Sequence, residues 1–167
     1  MKKILSLTMA LAMLGTALTG CGSKDAAAQT PAENTQQTAP VQQEQSQTEK
    51  ALALINTFAT GDTDTARSLL ADGYIQHNPA YGTGADAFIG SVEYLASADV
   101  KTTVNNIRAF EDGDKVFLQT IYNFAGAGEQ VAFDIFRFNE NGKIAEHWDV
   151  METIADQSTW QNQNGKF

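Results

Sequence analysis

Apolar residues recur at two different periods along this chain, and the period changes near Asp99. Before that point, Leu52, Ile55, Phe58 and Ala59 fall at helical intervals. They follow Ser46-Gln47-Thr48-Glu49, whose serine and glutamate have the spacing of a capping box, and Gly61 closes the helix. Asp62 or Thr63 caps a second helix that carries Ala66, Leu69 and Leu70 and stops near Gly73. Tyr74–Pro79 reads as extended or irregular, because a proline disfavours helix in the residue before it. Thr83-Gly84-Ala85-Asp86 offers a further capping box ahead of a third helix with Phe88, Ile89, Val92 and Leu95. Beyond Asp99 the period drops to two. Val100–Phe110 and Lys115–Phe124 flank Asp112-Gly113, and two more alternating runs flank Asn141-Gly142, both signals for hairpins with type I′ turns. Three helices followed by four or more mainly antiparallel strands make an α+β domain, with a helical layer on one face of the sheet.

The last hairpin concentrates the chemistry. A two-residue turn at Asn141-Gly142 pairs Phe138 with Ala145, Arg137 with Glu146, Phe136 with His147, Ile135 with Trp148 and Asp134 with Asp149. Strand side chains alternate between faces, so Asp134, Phe136, His147 and Asp149 share one face, and Ile135, Arg137, Glu146 and Trp148 share the other. Two carboxylates and a histidine among aromatics are costly to bury without a reason, which makes that face the candidate site. Asp134 opposite Asp149 predicts that one of them holds a proton, leaving His147 beside them as a base. Trp148 is expected to pack beneath the helices.

The ends of the chain carry other signals. Residues 1–20 combine a basic head with the apolar run Ile4–Leu18, too short to span a membrane comfortably, and run into Cys21 through Leu18-Thr19-Gly20-Cys21. That tetrapeptide resembles a bacterial lipobox and implies cleavage before Cys21, lipid on Cys21, and attachment to a membrane of the cell envelope outside the cytoplasm. Cys21 is the only cysteine, so the chain cannot form an internal disulfide. Residues 21–47 are rich in Gln, Ala, Thr and Ser and show no period, as expected of a tether. The folded domain is expected over 48–153, with a polar tail at 154–167 anchored by Trp160. Removing Lys2 and Lys3 with the leader leaves 20 acidic against nine basic residues, a net charge of −11, which argues against nucleic acid as a partner. The chain has no nucleophile elbow, phosphate loop or CxxC pair.

Between about Glu49 and Glu152 the sequence resembles the SnoaL-like branch of the NTF2-like superfamily. The resemblance rests on Gln76-His77-Asn78-Pro79, on Phe133-Asp134-Ile135-Phe136-Arg137-Phe138, and on Gly142 through Asp149. It implies a cone-shaped α+β barrel in which three helices and a bent sheet enclose one apolar pocket. Relatives include polyketide cyclases that perform an intramolecular aldol condensation, ketosteroid isomerases and limonene epoxide hydrolases, none of which needs a metal or an organic cofactor. By that resemblance Asp149 holds the position of the catalytic carboxylate on the last strand, with His147 two residues before it. His77 belongs to the segment that closes over the pocket mouth.

The expected catalytic set is therefore His147, Asp149, Asp134 and His77. Asp149 or His147 serves as base, and His77 as hydrogen-bond partner to an enolate. Tyr74, Asn78, Phe88, Tyr122 and Phe136 are expected to contact a small apolar ligand with a carbonyl group, and no cofactor is expected. Relatives commonly pair through the outer sheet face, so a homodimer is expected as well. Three other readings compete. The domain could capture a small molecule without catalysis, serve as a protein-binding scaffold, or hold a metal on His77, His147 and Asp149.

Overall fold

Helix α1 (Gln47–Thr60) begins where Ser46 and Glu49 cap one another. Ser46 Oγ accepts the Glu49 N–H at 3.1 Å, and the Glu49 carboxylate accepts the Ser46 N–H at 2.7 Å. The helix ends on Gly61 at φ 74°, where any Cβ would meet that of Ala96 at 2.8 Å. Asp62 caps α2 (Thr63–Leu69) by accepting the Thr65 N–H. Helix α3 (Ala85–Ser97) starts on Gly84 with no side-chain cap. Thr83, expected to cap it, instead accepts the backbone N–H of Gln76. The structure, a computed structural model, describes residues 44–167. The leader, Cys21 and most of the tether lie outside the described residues. No described helix is long and apolar enough to cross a membrane.

Five strands form one mixed sheet: β1 (Leu70–Gln76), β2 (Thr103–Asp112), β3 (Lys115–Asn123), β4 (Gln130–Phe138) and β5 (Ile144–Thr153), in the order β1-β5-β4-β3-β2. Of β1, only Tyr74–Gln76 falls in the segment expected to be extended or irregular, and no strand pairing is expected there. Helix α2 stops at Leu69 rather than near Gly73, and Leu70–Gln76 runs parallel to β5, with Gln76 beside His147. The other pairs are antiparallel. The β2–β3 turn is centred on Gly113-Asp114 rather than Asp112-Gly113. Asp112 pairs with Lys115, and φ is positive only at Gly113, the pattern of a type II′ turn.

The β4–β5 hairpin reaches the expected register by an unexpected route. Its loop has three residues, closed by Gly142 N–H to the Asn139 carbonyl and Asn139 N–H to the Lys143 carbonyl, both at 2.9 Å. Phe138 consequently pairs with Ile144, one residue off the expected pairing. A bulge between Arg137 and Phe138 then leaves Ala145 without a partner and restores the count. Arg137–Glu146, Phe136–His147, Ile135–Trp148 and Asp134–Asp149 pair as the sequence predicts.

Leu54 and Ile55 of α1 and Phe88 and Val92 of α3 share one core with Leu118, Phe136 and Ile144 of the sheet. The helices thus cover the face that carries Phe136 and His147. Trp148 points away from them and stacks on His77, ring centroids 4.3 Å apart, so it does not pack beneath the helices. The tail is tied back through Lys166, whose carbonyl accepts from Gln119 at 2.8 Å and whose ammonium meets Glu152 at 2.6 Å. Trp160, the expected anchor, bonds only locally to the Ala155 carbonyl.

Candidate active site

Alternation along β1, β4 and β5 sends Tyr74, Gln76, Asp134, Phe136, His147 and Asp149 into one cavity of about 510 Å³ between the sheet and the helices. Phe58 of α1, Phe88 and Leu95 of α3, and Phe124 beyond β3 make its walls mostly apolar. Asp134 is 4% exposed and His147 7%, so their polar atoms depend on one another.

Their hydrogen bonds run in a single direction. The Asn78 N–H donates to Gln76 Oε1 at 2.9 Å, which turns the Gln76 amide nitrogen toward His147 Nδ1, also 2.9 Å away. An amide N–H can only donate, so Nδ1 is the acceptor and the imidazole proton sits on Nε2. Nε2 then donates to Asp134 Oδ1 at 3.2 Å, and Tyr122 Oη donates to Asp134 Oδ2 at 2.9 Å. Burial, then the charge and hydrogen bond of Asp134, push the Tyr122 phenol well above the usual tyrosine range and keep it a donor. Both nitrogens of His147 are occupied, and the ring lies flat on Phe136 at 4.4 Å.

Asp149 differs. Asn78 Nδ2 donates to its Oδ1 at 2.5 Å, and the Asn78 amide is itself oriented by accepting the Ala80 N–H on Oδ1. No described residue hydrogen-bonds the second carboxylate oxygen of Asp149. Tyr74 is 2% exposed, yet its hydroxyl has no hydrogen-bond partner among the described residues. Burial, then the charges of Asp149 and Asp134, raise its phenol far above the ordinary value, so it stays protonated. A buried hydroxyl without a partner is costly.

Of the expected residues, Asp134, His147, Asp149, Tyr74, Phe88, Tyr122 and Phe136 all line this cavity. Asn78 stands behind Asp149. His77 is a correction: alternation that turns Gln76 inward turns His77 outward, where its Nε2 meets Glu146 at 2.8 Å. Glu146 also receives Arg137, and these two partners hold its carboxyl below the usual range. The metal set His77, His147 and Asp149 is therefore not assembled. Asp134 joins His147 and Asp149 instead, with one ligating atom of each within 4.8 Å of the others. Binding an ion there would break the bonds that His147 makes to Asp134 or Gln76. A polar cavity residue not among the expected ones is Gln76, which alternation along β1 places on the same face as Tyr74.

Comparison with known families matches residues 51–147, more than half of the chain, to the SnoaL-like domain. An NTF2-like protein of unknown function from Cytophaga hutchinsonii superposes with a TM-score of 0.57 at 17% identity, over 66% of this chain and 94% of that one. IdmH of Streptomyces antibioticus, a candidate polyketide cyclase, gives 0.52 at 18% identity over 65% and 93%. An LEH-like epoxide hydrolase of M. tuberculosis gives 0.54 at 18% identity over 62% and 80%. At these identities the likeness is one of fold. Comparison with curated protein sequences returns no match.

Proposed function

Since the chain belongs to the SnoaL-like domain family, we propose that its cavity performs cofactor-free proton transfer beside a carbonyl group, of the aldol or isomerisation type, on a small apolar substrate. The observation that carries this reading is that two residues lining one mostly apolar cavity are a half-satisfied carboxylate, Asp149, and a buried tyrosine, Tyr74, whose hydroxyl no described residue hydrogen-bonds. Asp149 takes a proton from the carbon next to the carbonyl, and Tyr74 donates to the oxygen on which enolate charge develops. The proton on Asp149 then returns to carbon in isomerisation or to the new alkoxide in an aldol step. His147, with both nitrogens occupied, is a positioning residue in this scheme rather than the base. The chain from Asn78 through Gln76 and His147 to Asp134 fixes the wall beside Asp149.

The experiment is a screen of cyclic ketones for uptake of solvent deuterium at the carbon next to the carbonyl, read by NMR with the full chain. Exchange well above the buffer rate is expected for at least one bound ketone. A ketone that saturates the protein and is recovered without deuterium would turn the reading to a non-catalytic binding module. The same proposal places the domain at the cell envelope on an acylated Cys21, supported by Leu18-Thr19-Gly20-Cys21. Cys21→Ala is expected to move the protein out of the membrane fraction or block its processing. A variant that remains processed and membrane-bound would contradict the anchor.

A further inference from the structure

Charge inside the cavity is unbalanced. Asp134 and Asp149 both face it, and no lysine or arginine lines it among the described residues. His147 does not compensate, because its Nδ1 accepts from Gln76 and its ring is neutral. Asp134 has both oxygens engaged, by His147 and Tyr122, whereas Asp149 keeps one oxygen without a partner. The two carboxyl groups leave the site with a negative charge that no cationic side chain on its lining offsets. Tyr74 lines the same cavity, and its hydroxyl, which no described residue hydrogen-bonds, can accept a hydrogen bond as well as donate one.

Five aromatic rings complete the arrangement. Tyr74 meets Phe88 at 6.0 Å, Phe88 meets Phe58 at 4.9 Å, Phe58 meets Phe124 at 5.7 Å, and Phe124 stacks on Tyr122 at 4.9 Å. Aromatic faces attract organic cations, and a desolvated carboxylate does so more strongly. A carboxylate or phosphate on the ligand meets only like charge here. We infer that the cavity is cation-selective: it takes an apolar ligand bearing one protonated amine, seated between the free oxygen of Asp149, Tyr74 Oη and the ring faces, and it excludes anionic ligands. This inference uses the same cavity as the proposed reaction but does not depend on catalysis.

The test is calorimetric titration of the full chain at pH 7 with three probes on one skeleton: 1-naphthylmethylamine, 1-naphthylmethanol and 1-naphthoate. The amine is expected to bind about tenfold tighter than the alcohol or better, and the acid to show no binding where the alcohol saturates. Asp149→Asn should abolish the preference, so that the folded variant binds amine and alcohol with similar affinity. Glu146→Gln, which removes one negative charge on the opposite face, should keep the preference and so separates the cavity from the acidic surface at large. A measurement without variants reads the same point. Raising the pH past the titration of the amine itself should lower its affinity to that of the alcohol. Equal binding of amine and alcohol, binding of the acid, binding of no probe, or a preference that survives Asp149→Asn in folded protein would each overturn the inference. Deuterium exchange is an independent readout: its absence with the amine preference intact removes only the catalytic reading, and its presence without that preference removes only this one.

Discussion

Asp149→Asn is expected to lower the turnover of any exchanging ketone by about 10²–10⁴-fold, the usual contribution of a positioned base, while the folded structure and ketone affinity stay close to those of the parent. The substitution keeps shape and removes the basic oxygen. Asn78 loses its acceptor only if the new amide presents its nitrogen, and the side chain can rotate to avoid that. In free-energy terms the loss is about 3–5 kcal/mol of barrier. Tyr74→Phe should act on the same step from the other side, with kcat falling by about 10²–10³ as when one oxyanion donor is lost. Because no described residue hydrogen-bonds the Tyr74 hydroxyl, removing that hydroxyl should strand no partner and should not destabilise the fold. A fall in affinity alone, with kcat intact, would show that both groups bind rather than react.

Phe136→Ala carries the largest expected effect on stability. Phe136 is fully buried on β4, lies flat against His147 and belongs to the core shared by helices and sheet. Truncating a buried phenylalanine costs about 3–5 kcal/mol, a large share of the roughly 5–15 kcal/mol that holds a domain folded. Phe133, three residues earlier, faces the other way and is 57% exposed. Phe133→Ala should change stability by no more than about 0.5 kcal/mol. Urea unfolding of the two variants reads the difference as a shift in midpoint at constant slope. Similar losses at both positions would contradict the assignment of faces on which the site rests.

The antiparallel part of the domain was legible because its signals are local. Asp134 and Asp149 could be paired from the alternation on either side of Asn141-Gly142, although the two-residue turn was the wrong device. A three-residue loop and the bulge at Ala145 cancel to the same register. Strand β1 was not legible. Leu70–Gln76 contains Asp72-Gly73, which reads as a turn, and its partner β5 lies some 70 residues away with no hairpin to announce it. Missing β1 had a direct consequence for the site. Without strand alternation at Tyr74–Gln76, nothing in the sequence separated Gln76, which faces the cavity, from His77, which does not. Chemistry favoured the histidine, and the pleat placed the glutamine inside. Thr83 was misread for a related reason: its hydroxyl is taken by the Gln76 N–H, a contact that exists only once β1 is in place.

If Asp149 and Tyr74 act on one bound molecule, a crystal structure of the chain with a ketone that exchanges deuterium will show the carbonyl oxygen within about 2.5–3.0 Å of Tyr74 Oη and the exchanging carbon within about 3.0–3.5 Å of the free oxygen of Asp149. A ketone bound in the cavity with its carbonyl turned away from Tyr74, or bound outside the cavity altogether, would contradict that joint action.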